Sequence, residues 1–155
     1  MINSYHYMIQ SNKPKSIVLY ADDDTDDIEL VKDAFAQHTT DVELVTFSNG
    51  IEALAFLNKL NAIDLTPCLI ILDINMPLLD GKEALARLKE MKHFEQVPAI
   101  LFSTSSQEKD KEFADRYGAG FITKPLNAHQ MEDIIEEFIE HCAEDVRNRI
   151  RKQVQ

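Results

Sequence analysis

The alternation of short apolar runs with amphipathic segments is the feature that most restricts the fold of this chain. Five apolar runs have the length of buried strands, and they lie at residues 17–21, 42–47, 68–72, 97–102 and 121–123. Five segments with helical spacing of apolar residues follow them, at residues 27–37, 50–60, 82–92, 107–117 and from 127 onward. Because strands that alternate with helices pair in parallel, the pattern predicts an α/β domain. It would be a doubly wound, five-stranded parallel sheet with five flanking helices.

The composition narrows the class of protein. The chain has 155 residues, enough for one domain with a core, and a net charge of -11. An acidic chain lacks the basic face that binds nucleic acid, so we expect no direct nucleic-acid partner. Cys68 and Cys142 have no CxxC spacing and are expected to be core residues in a reducing compartment. No signal-peptide core or membrane-length apolar run is present, so we expect a cytoplasmic protein with no membrane association.

Charged and hydroxyl side chains that could form a site follow the first, third, fourth and fifth predicted strands. In a parallel sheet, ligands bind outside the carboxyl ends of the strands, where the strand order reverses. The stretch "ADDDTDD" follows the first strand, and a lone aspartate ends the third. The residues at these strand ends are Asp22, Asp23 and Asp24, then Asp73, then Ser103, Thr104 and Ser105, and finally Lys124 and Pro125. Acids, a hydroxyl and a lysine are therefore predicted to converge on one edge.

This set of residues suits phosphoryl chemistry. Carboxylates at two strand ends are ligands for a hard divalent cation such as Mg²⁺, which keeps waters for its remaining positions. Asp73 is placed to act as a nucleophile, as carboxylates do when they form aspartyl phosphates. Mg²⁺ and Lys124 could offset the charge of the phosphoryl group, and the Ser103 hydroxyl could donate a hydrogen bond to it. A cation would also explain why so many aspartates crowd together.

The motifs "DDD", "LDINMPLLDG", "PAILFSTSS" and "GAGFITKPL", in this order, resemble the receiver domain of bacterial two-component response regulators. The resemblance covers roughly residues 16 to 140 and implies a flavodoxin-like fold. It also implies a phosphoacceptor that takes its phosphoryl group from a histidine kinase or phosphotransfer protein and signals to a downstream protein. Such a protein is not an enzyme in the usual sense, since it promotes only its own phosphorylation and dephosphorylation.

The resemblance assigns roles to individual residues. Asp73 is the phosphoacceptor. The implied metal ligands are Asp22, Asp23, Asp73 and the Asn75 backbone carbonyl; the phosphate contacts are Ser103, Thr104 and Lys124; the switch residues are Ser103 and Phe121. Pro125 is implied to have a structural role, joined to Lys124 by a cis peptide bond. Asp26 and Asp27 are expected only to favour the first turn of a helix, and Asp24 is left open.

Other functions that use acidic residues or a phosphate loop do not fit these motifs. A calcium loop would start at Asp22, but Asp27 stands where that loop needs glycine. A haloacid-dehalogenase-like phosphatase would need an aspartate at position 75, where this chain has Asn75, and no GK[ST] phosphate loop is present. The alternative that remains is a pseudo-receiver, which binds partners without carrying phosphate.

The same resemblance divides the chain into three parts. Residues 1–15 are predicted to be an N-terminal extension, 16–142 the receiver domain and 143–155 a helical C-terminal extension. The apolar stripe of the last predicted helix runs through Met131, Ile134, Ile135, Phe138, Ile139 and Cys142. Val146 and Ile150 continue this stripe, so the extension either contacts a partner or a second copy in a homodimer, or is a frayed end.

Overall fold

The computed structural model describes residues 15–125 and 127–152 and confirms the predicted α/β architecture. Five strands form one sheet in the order β2-β1-β3-β4-β5, and every neighbouring pair is parallel. The strands are β1 (Ser16–Ala21), β2 (Val42–Phe47), β3 (Leu69–Leu72), β4 (Ala99–Ser103) and β5 (Gly120–Thr123). The order reverses between β1 and β3, which makes the carboxyl ends of these two strands the expected ligand site.

Six α-helices connect and follow the strands among the residues described. They are α1 (Thr25–His38), α2 (Gly50–Ala62), α3 (Gly81–Glu90), α4 (Glu108–Arg116), α5 (Met131–Glu140) and α6 (Glu144–Lys152). Side chains cap the first three: Asp24, Asn49 and Asp80 each accept hydrogen bonds from backbone N–H groups of the first turn. Asp24, whose role the sequence left open, is therefore the N-cap of α1.

The alternation of side chains along the strands gives the sheet two apolar faces. In β1, Ile17, Leu19 and Ala21 belong to the core cluster packed under α2, α3 and α4. Val18 and Tyr20 point the opposite way, into the cluster covered by α1, α5 and α6. Helices on both faces explain why the central strands are continuous apolar runs and not alternating ones.

The C-terminal residues form a separate helix that packs on the same domain. The chain breaks its helix at residues 141–143, and α6 then places Ile150 in the second core cluster with 1% exposure. The Arg149 Nε atom lies 3.2 Å from a carboxylate oxygen of Asp41, which directly precedes β2. Arg149 also donates a hydrogen bond to the Ser16 hydroxyl at the start of β1. A frayed end therefore does not describe residues 144–152.

The observed element bounds differ from the predicted ones in one respect that affects the site. Ser103 is the last residue of β4 and pairs with Thr123, whereas the prediction placed it after the strand.

Cys142 is buried as expected, and Cys68 is half-buried; both are free thiols. No helix among residues 15–125 and 127–152 combines the length and the apolar character needed to cross a membrane.

Candidate phosphoryl and metal site

Strand pairing brings the carboxylates of two strand ends together. Ala21 of β1 is the register partner of Leu72 in β3, so Asp22 and Asp73 leave the sheet side by side. The Asp73 N–H donates to the Ala21 carbonyl oxygen at 2.9 Å and continues the ladder by one bond. Carboxylate oxygens of Asp22, Asp23 and Asp73 all lie within 4.8 Å of one another. The predicted acidic cluster is thus assembled by three residues from two adjacent strands.

Asp22 is the most tightly held member of this cluster. It is fully buried, and one oxygen accepts a short hydrogen bond from the Tyr20 hydroxyl while the other accepts from the Asp24 N–H at 3.0 Å. Burial, together with the nearby charge of Asp22, raises the pKa of Tyr20, so its phenol remains a hydrogen-bond donor. Asp23, by contrast, is exposed. The cluster therefore presents one carboxylate to solvent and holds two within the protein.

Lys124 neutralises part of the acidic charge. Its ammonium nitrogen Nζ lies 2.8 Å from an oxygen of Asp22, 2.7 Å from one of Asp27 and 3.5 Å from one of Asp73. Burial acts to lower the pKa of Lys124, but hydrogen bonds to Asp22 and Asp27 outweigh it and raise the pKa, so the lysine stays charged. Its side chain reaches the site because the Lys124 N–H pairs with the Ser103 carbonyl oxygen at 2.8 Å.

Asp27 was assigned only a role in the first turn of a helix, and that interpretation was incomplete. It does lie in the first turn of α1, but its carboxylate also forms the short ion pair with Lys124. The two residues are 97 positions apart, so no local sequence signal joins them. A weak signal was available: Asp27 is in the first turn of a helix that begins directly after the acidic residues of the site.

The electrostatics of the cluster also act on Asp73. Burial is the largest cause and the neighbouring charge of Asp22 the next, and together they raise the pKa of Asp73 to about 7, against the opposing effect of Lys124. Asp73 is 5% exposed. A carboxylate that is disfavoured by its own surroundings gains from an added cation, because positive charge favours its ionised form.

Gly81 allows the helix α3 to start directly against the Asp73 backbone. A Cβ atom on Gly81 would lie 2.0 Å from the Asp73 carbonyl oxygen, and the Gly81 N–H donates to the Ile74 carbonyl oxygen at 2.9 Å. Leu78, in the same connection, has φ of 68° and is 80% exposed. This loop therefore fixes the main chain on both sides of Asn75, whose side chain is exposed.

The remaining predicted residues surround the carboxylates from β4 and β5. Ser103 is fully buried, and its hydroxyl oxygen accepts a hydrogen bond from the Ser105 N–H at 3.2 Å. Thr104 is exposed. Phe121 is half-buried and packs against the core cluster under α2, α3 and α4. These positions agree with the expected arrangement, while the phosphate-contacting and switch roles themselves stay predictions.

The expectation of a cis peptide bond between Lys124 and Pro125 was wrong: no peptide bond in the described residues is cis. The trans form is the intrinsic preference of a bond that precedes proline. Lys124 reaches Asp22, Asp27 and Asp73 with this trans bond. The position of Pro125 after the lysine is therefore compatible with the ion pairs without the cis geometry.

The donor set fits a hard divalent cation. Carboxylate oxygens from three aspartates, one of them open to solvent, supply ligands that Mg²⁺ or Mn²⁺ accepts, and they leave room for waters on the Asp23 side. Histidine or cysteine, which softer metals prefer, is absent from this three-residue group. Burial and the neighbouring charge of Asp22 raise the pKa of Asp73 against the opposing effect of Lys124, so a further cation would favour its ionised form.

Comparison with known proteins agrees with this geometry. The family model described as "Response regulator receiver domain" matches residues 18–136. Response regulator Rcp1 of Synechocystis is 35% identical over 103 residues, which are 65% of this chain and 69% of Rcp1.

Two solved structures extend the comparison. The phosphorylated cyanobacterial phytochrome response regulator RcpA superimposes with a TM-score of 0.74 at 31% identity, covering 83% of this chain and 97% of RcpA. The Mn²⁺-bound form of Rcp1 gives a TM-score of 0.70 at 28% identity, covering 79% and 90% of the two chains. The chain therefore belongs to the receiver domain family of two-component response regulators.

Proposed function

We propose that this protein is a single-domain response regulator that accepts a phosphoryl group on Asp73 in a reaction that requires Mg²⁺. The observation that carries the proposal is the surplus of negative charge around one buried carboxylate. Carboxylate oxygens of Asp22, Asp23 and Asp73 lie within 4.8 Å of one another. The Lys124 Nζ atom lies 3.5 Å from an oxygen of Asp73. Such a site suits a cation and an incoming phosphoryl group better than it suits a structural ion pair.

The chemical step is a direct transfer. An oxygen of the ionised Asp73 carboxylate attacks phosphorus, the P–N bond of the donor phosphohistidine breaks, and its electron pair stays on the imidazole, which is protonated as it leaves. The product is an acyl phosphate on Asp73. Lys124 carries a fixed positive charge next to the carboxylate and offsets the charge that arrives with the phosphoryl oxygens. Asp22, Asp23, Asp73 and the Asn75 carbonyl would hold Mg²⁺, which would supply further positive charge to those oxygens.

The output is a changed protein-binding face. Ser103 ends β4, and its hydroxyl would turn to donate to the phosphoryl oxygens; Phe121 in β5 would then move into the space near β4. Phe121 belongs to β5, and Ser103 ends the strand paired with it, so we expect the change to reach the face made by α4, β5 and α5. A downstream protein that binds this face more tightly after phosphorylation shifts the population by its differential affinity.

The donor class is suggested by the relatives. Because RcpA is a cyanobacterial phytochrome response regulator, we propose a phytochrome-type histidine kinase as the first donor to test. Its phosphohistidine should transfer to this protein faster than that of unrelated kinases in a phosphotransfer profile. A phosphotransfer protein is the other donor to include. The reaction would take place in the cytoplasm.

Intact mass spectrometry tests the phosphoacceptor. The wild-type protein, incubated with acetyl phosphate and Mg²⁺, should gain the mass of one phosphoryl group in a base-labile form, and chelation of Mg²⁺ should prevent this. Asp73→Asn should abolish the gain. Asp64→Asn is the matched control, because the Asp64 side chain is 95% exposed and Asp64 precedes β3, whereas Asp73 follows the opposite end of that strand. If the wild type gains no phosphoryl group from acetyl phosphate or a kinase, the pseudo-receiver alternative replaces this proposal.

Metal binding is tested separately. Mg²⁺ titrated into the wild-type protein should shift the amide NMR signals of the residues around Asp73, and Asp23→Asn should greatly weaken this response. Asp23 is chosen because it is exposed and so can be changed without leaving a buried group unpaired. An undiminished response in Asp23→Asn would exclude this residue as a ligand.

A further inference from the structure

A second charged network lies beside the proposed site and is explained neither by metal binding nor by phosphate contact. Asp110, in the first turn of α4, is 4% exposed, and its carboxylate forms an ion pair with Lys82 of α3. The other carboxylate oxygen accepts a hydrogen bond from the Ser105 hydroxyl at 2.7 Å. Lys82 also lies over the ring of Phe113, 5.5 Å from its centroid. The network thus joins α3, α4 and the loop after β4.

Ser105 connects this network to Ser103. Its N–H donates to the Ser103 hydroxyl oxygen at 3.2 Å, and its own hydroxyl oxygen accepts from the Gln107 N–H at 3.3 Å. Ser105 is therefore held at both ends, by Asp110 through its side chain and by Ser103 through its backbone. The position of the Ser105 N–H depends on the Ser105–Asp110 bond, because the loop between β4 and α4 is otherwise exposed at Thr104, Ser106 and Gln107.

The hydrogen bond to Ser103 determines how its hydroxyl can act. A serine hydroxyl has one hydrogen to donate and two lone pairs that accept. When the Ser105 N–H occupies one lone pair of the fully buried Ser103 hydroxyl, the O–H hydrogen is left to donate to another acceptor. The Ser103 carbonyl oxygen is held at the same time by the Lys124 N–H at 2.8 Å. These two hydrogen bonds therefore restrain Ser103, while its O–H hydrogen can still turn toward a new acceptor.

We propose that Asp110 is a positioning residue for phosphoryl recognition: through Ser105, it orients the Ser103 hydroxyl as a donor to the phosphoryl group on Asp73. This role rests on the proposed function of Asp73. It assigns to the Lys82–Asp110 pair a part in the response that passes through Ser105.

Charge and capping distinguish this role from the ordinary one of an acid in the first turn of a helix. Hydrogen bonds from Lys82 and Ser105 lower the pKa of Asp110, so the group keeps its charge as an acceptor. An acid that only favours the helix dipole would be exposed, as Glu108 in the same turn is. Asp110 is instead buried and directed at the loop. The N-cap residue Gln107 makes no side-chain capping bond, and its own N–H donates to the Ser105 hydroxyl oxygen.

A double-mutant cycle measures the role. The readout is the apparent affinity of the Mg²⁺-loaded protein for beryllofluoride, a phosphoryl mimic, followed by the amide NMR signals of Ser103 and Phe121 at a temperature where every variant is folded. We expect Ser103→Ala and Asp110→Ala each to weaken binding by about tenfold, the size expected of one lost hydrogen bond with its orientation. In the Ser103→Ala background, Asp110→Ala should add little, because its effect passes through Ser103.

Conservative variants separate positioning from stability. Ser105→Thr keeps the hydroxyl and should retain most of the affinity, whereas Ser105→Ala should lose it. Asp115→Ala, an exposed change on the same helix, should match the wild type. The Ser105 variants also decide the question if Asp110→Ala does not fold. Wild-type affinity in Asp110→Ala and Ser105→Ala, or additive losses in the Ser103→Ala background, would overturn the positioning role alone. A wild-type protein that neither binds beryllofluoride nor accepts a phosphoryl group would overturn the proposed function and this role with it.

Discussion

At the carboxyl edge of the sheet, the Lys124 ammonium group lies within ion-pair distance of Asp22, Asp27 and Asp73, whereas at the amino edge Arg149 is paired with Asp41. Both edges bury carboxylates, since Asp22, Asp73 and Asp41 are each no more than 5% exposed. The difference is in the balance of charge. At the carboxyl edge, Lys124 is paired with three carboxylates, whereas at the amino edge Arg149 is paired with one.

This difference separates a site for chemistry from a structural contact. Burial and the nearby charge of Asp22 both disfavour the ionised form of Asp73 and raise its pKa. An added cation such as Mg²⁺ would therefore relieve repulsion that is already present among the carboxylates. The pair at the amino edge has no such surplus and instead attaches α6 to the start of β1 and β2. The comparison predicts that removing an acid has opposite effects at the two edges.

The largest effect is expected for Asp73→Asn in metal-free buffer. Its folded-state pKa of about 7, against an ordinary 3.8, means that the folded protein holds a proton that the unfolded chain has lost between about pH 4 and pH 7. Wild-type stability should therefore fall as pH rises through this window and level off above it. At pH 8 we expect Asp73→Asn to be more stable by a few kcal/mol, since one pKa unit corresponds to about 1.4 kcal/mol.

Urea unfolding of both proteins at pH 4.5 and pH 8 measures this difference. The matched variant is Asp41→Asn at the amino edge, which should lower stability, because it weakens the pair with Arg149. A lower stability of Asp73→Asn than of the wild type at pH 8 would contradict the idea of an overcharged carboxyl edge.

Much of the fold and the site could be predicted because both depend on short-range patterns. The five strands are continuous apolar runs, and the site residues follow them directly, so the rule that ligands bind at the carboxyl ends was sufficient to group Asp22, Asp23, Asp73 and Lys124. The helix caps are equally local. The trans bond before Pro125 shows the limit of a family resemblance, since proline leaves both isomers accessible and its surroundings select one.

What the sequence did not reveal depends on contacts between distant side chains. The Asp27–Lys124 and Lys82–Asp110 pairs are set by how α1, α3 and α4 pack on the sheet. The break between α5 and α6 was missed for another reason. No glycine or proline marks it, and the stripe continues in phase from Cys142 to Val146 and Ile150, so periodicity alone predicted one long helix.

The second prediction concerns the apolar part of the amino edge. Ile150 is 1% exposed in the core cluster under α1, α5 and α6, so Ile150→Ala should cost about 3 kcal/mol of unfolding free energy. Val146→Ala, at a half-buried position one turn earlier, should cost clearly less. Thermal unfolding of the two variants measures this. Equal, small effects would show that α6 is not part of the cooperative unit in solution.

The third prediction returns to the carboxyl edge. Gly81→Ala places a Cβ atom 2.0 Å from the Asp73 carbonyl oxygen, and the backbone of α3 or of Asp73 must move to relieve this clash. We expect a loss of about 2 kcal/mol in stability and, because Asp73 is displaced, slower phosphorylation by acetyl phosphate. Ala86→Gly, in the interior of the same helix, is the control: it should lower stability by about 1 kcal/mol and leave the phosphorylation rate unchanged. A normal rate in Gly81→Ala would mean that Asp73 tolerates movement of its backbone.

The smallest effect distinguishes two arginines of α6. Arg149 pairs with the buried Asp41, whereas Arg151 pairs with Glu136 and Glu140, whose side chains are 48% and 64% exposed. Arg149→Met should cost about 1 to 2 kcal/mol, because Asp41 is left without its cation inside the protein. The Asp41 oxygen that faces Arg149 already lacks a hydrogen bond of good geometry, so the loss is mainly of charge. Arg151→Met should cost less than about 0.5 kcal/mol, as exposed pairs do.

Denaturant unfolding at low and high salt measures the two arginine variants side by side. High salt should reduce the small effect of Arg151→Met further and leave most of the effect of Arg149→Met, since a buried carboxylate is screened less than an exposed one. If both variants lost the same stability, the contact at the amino edge would be an ordinary surface pair. The charge balance would then have no measurable effect on stability at the amino edge, and only the carboxylates around Asp73 would depend on it.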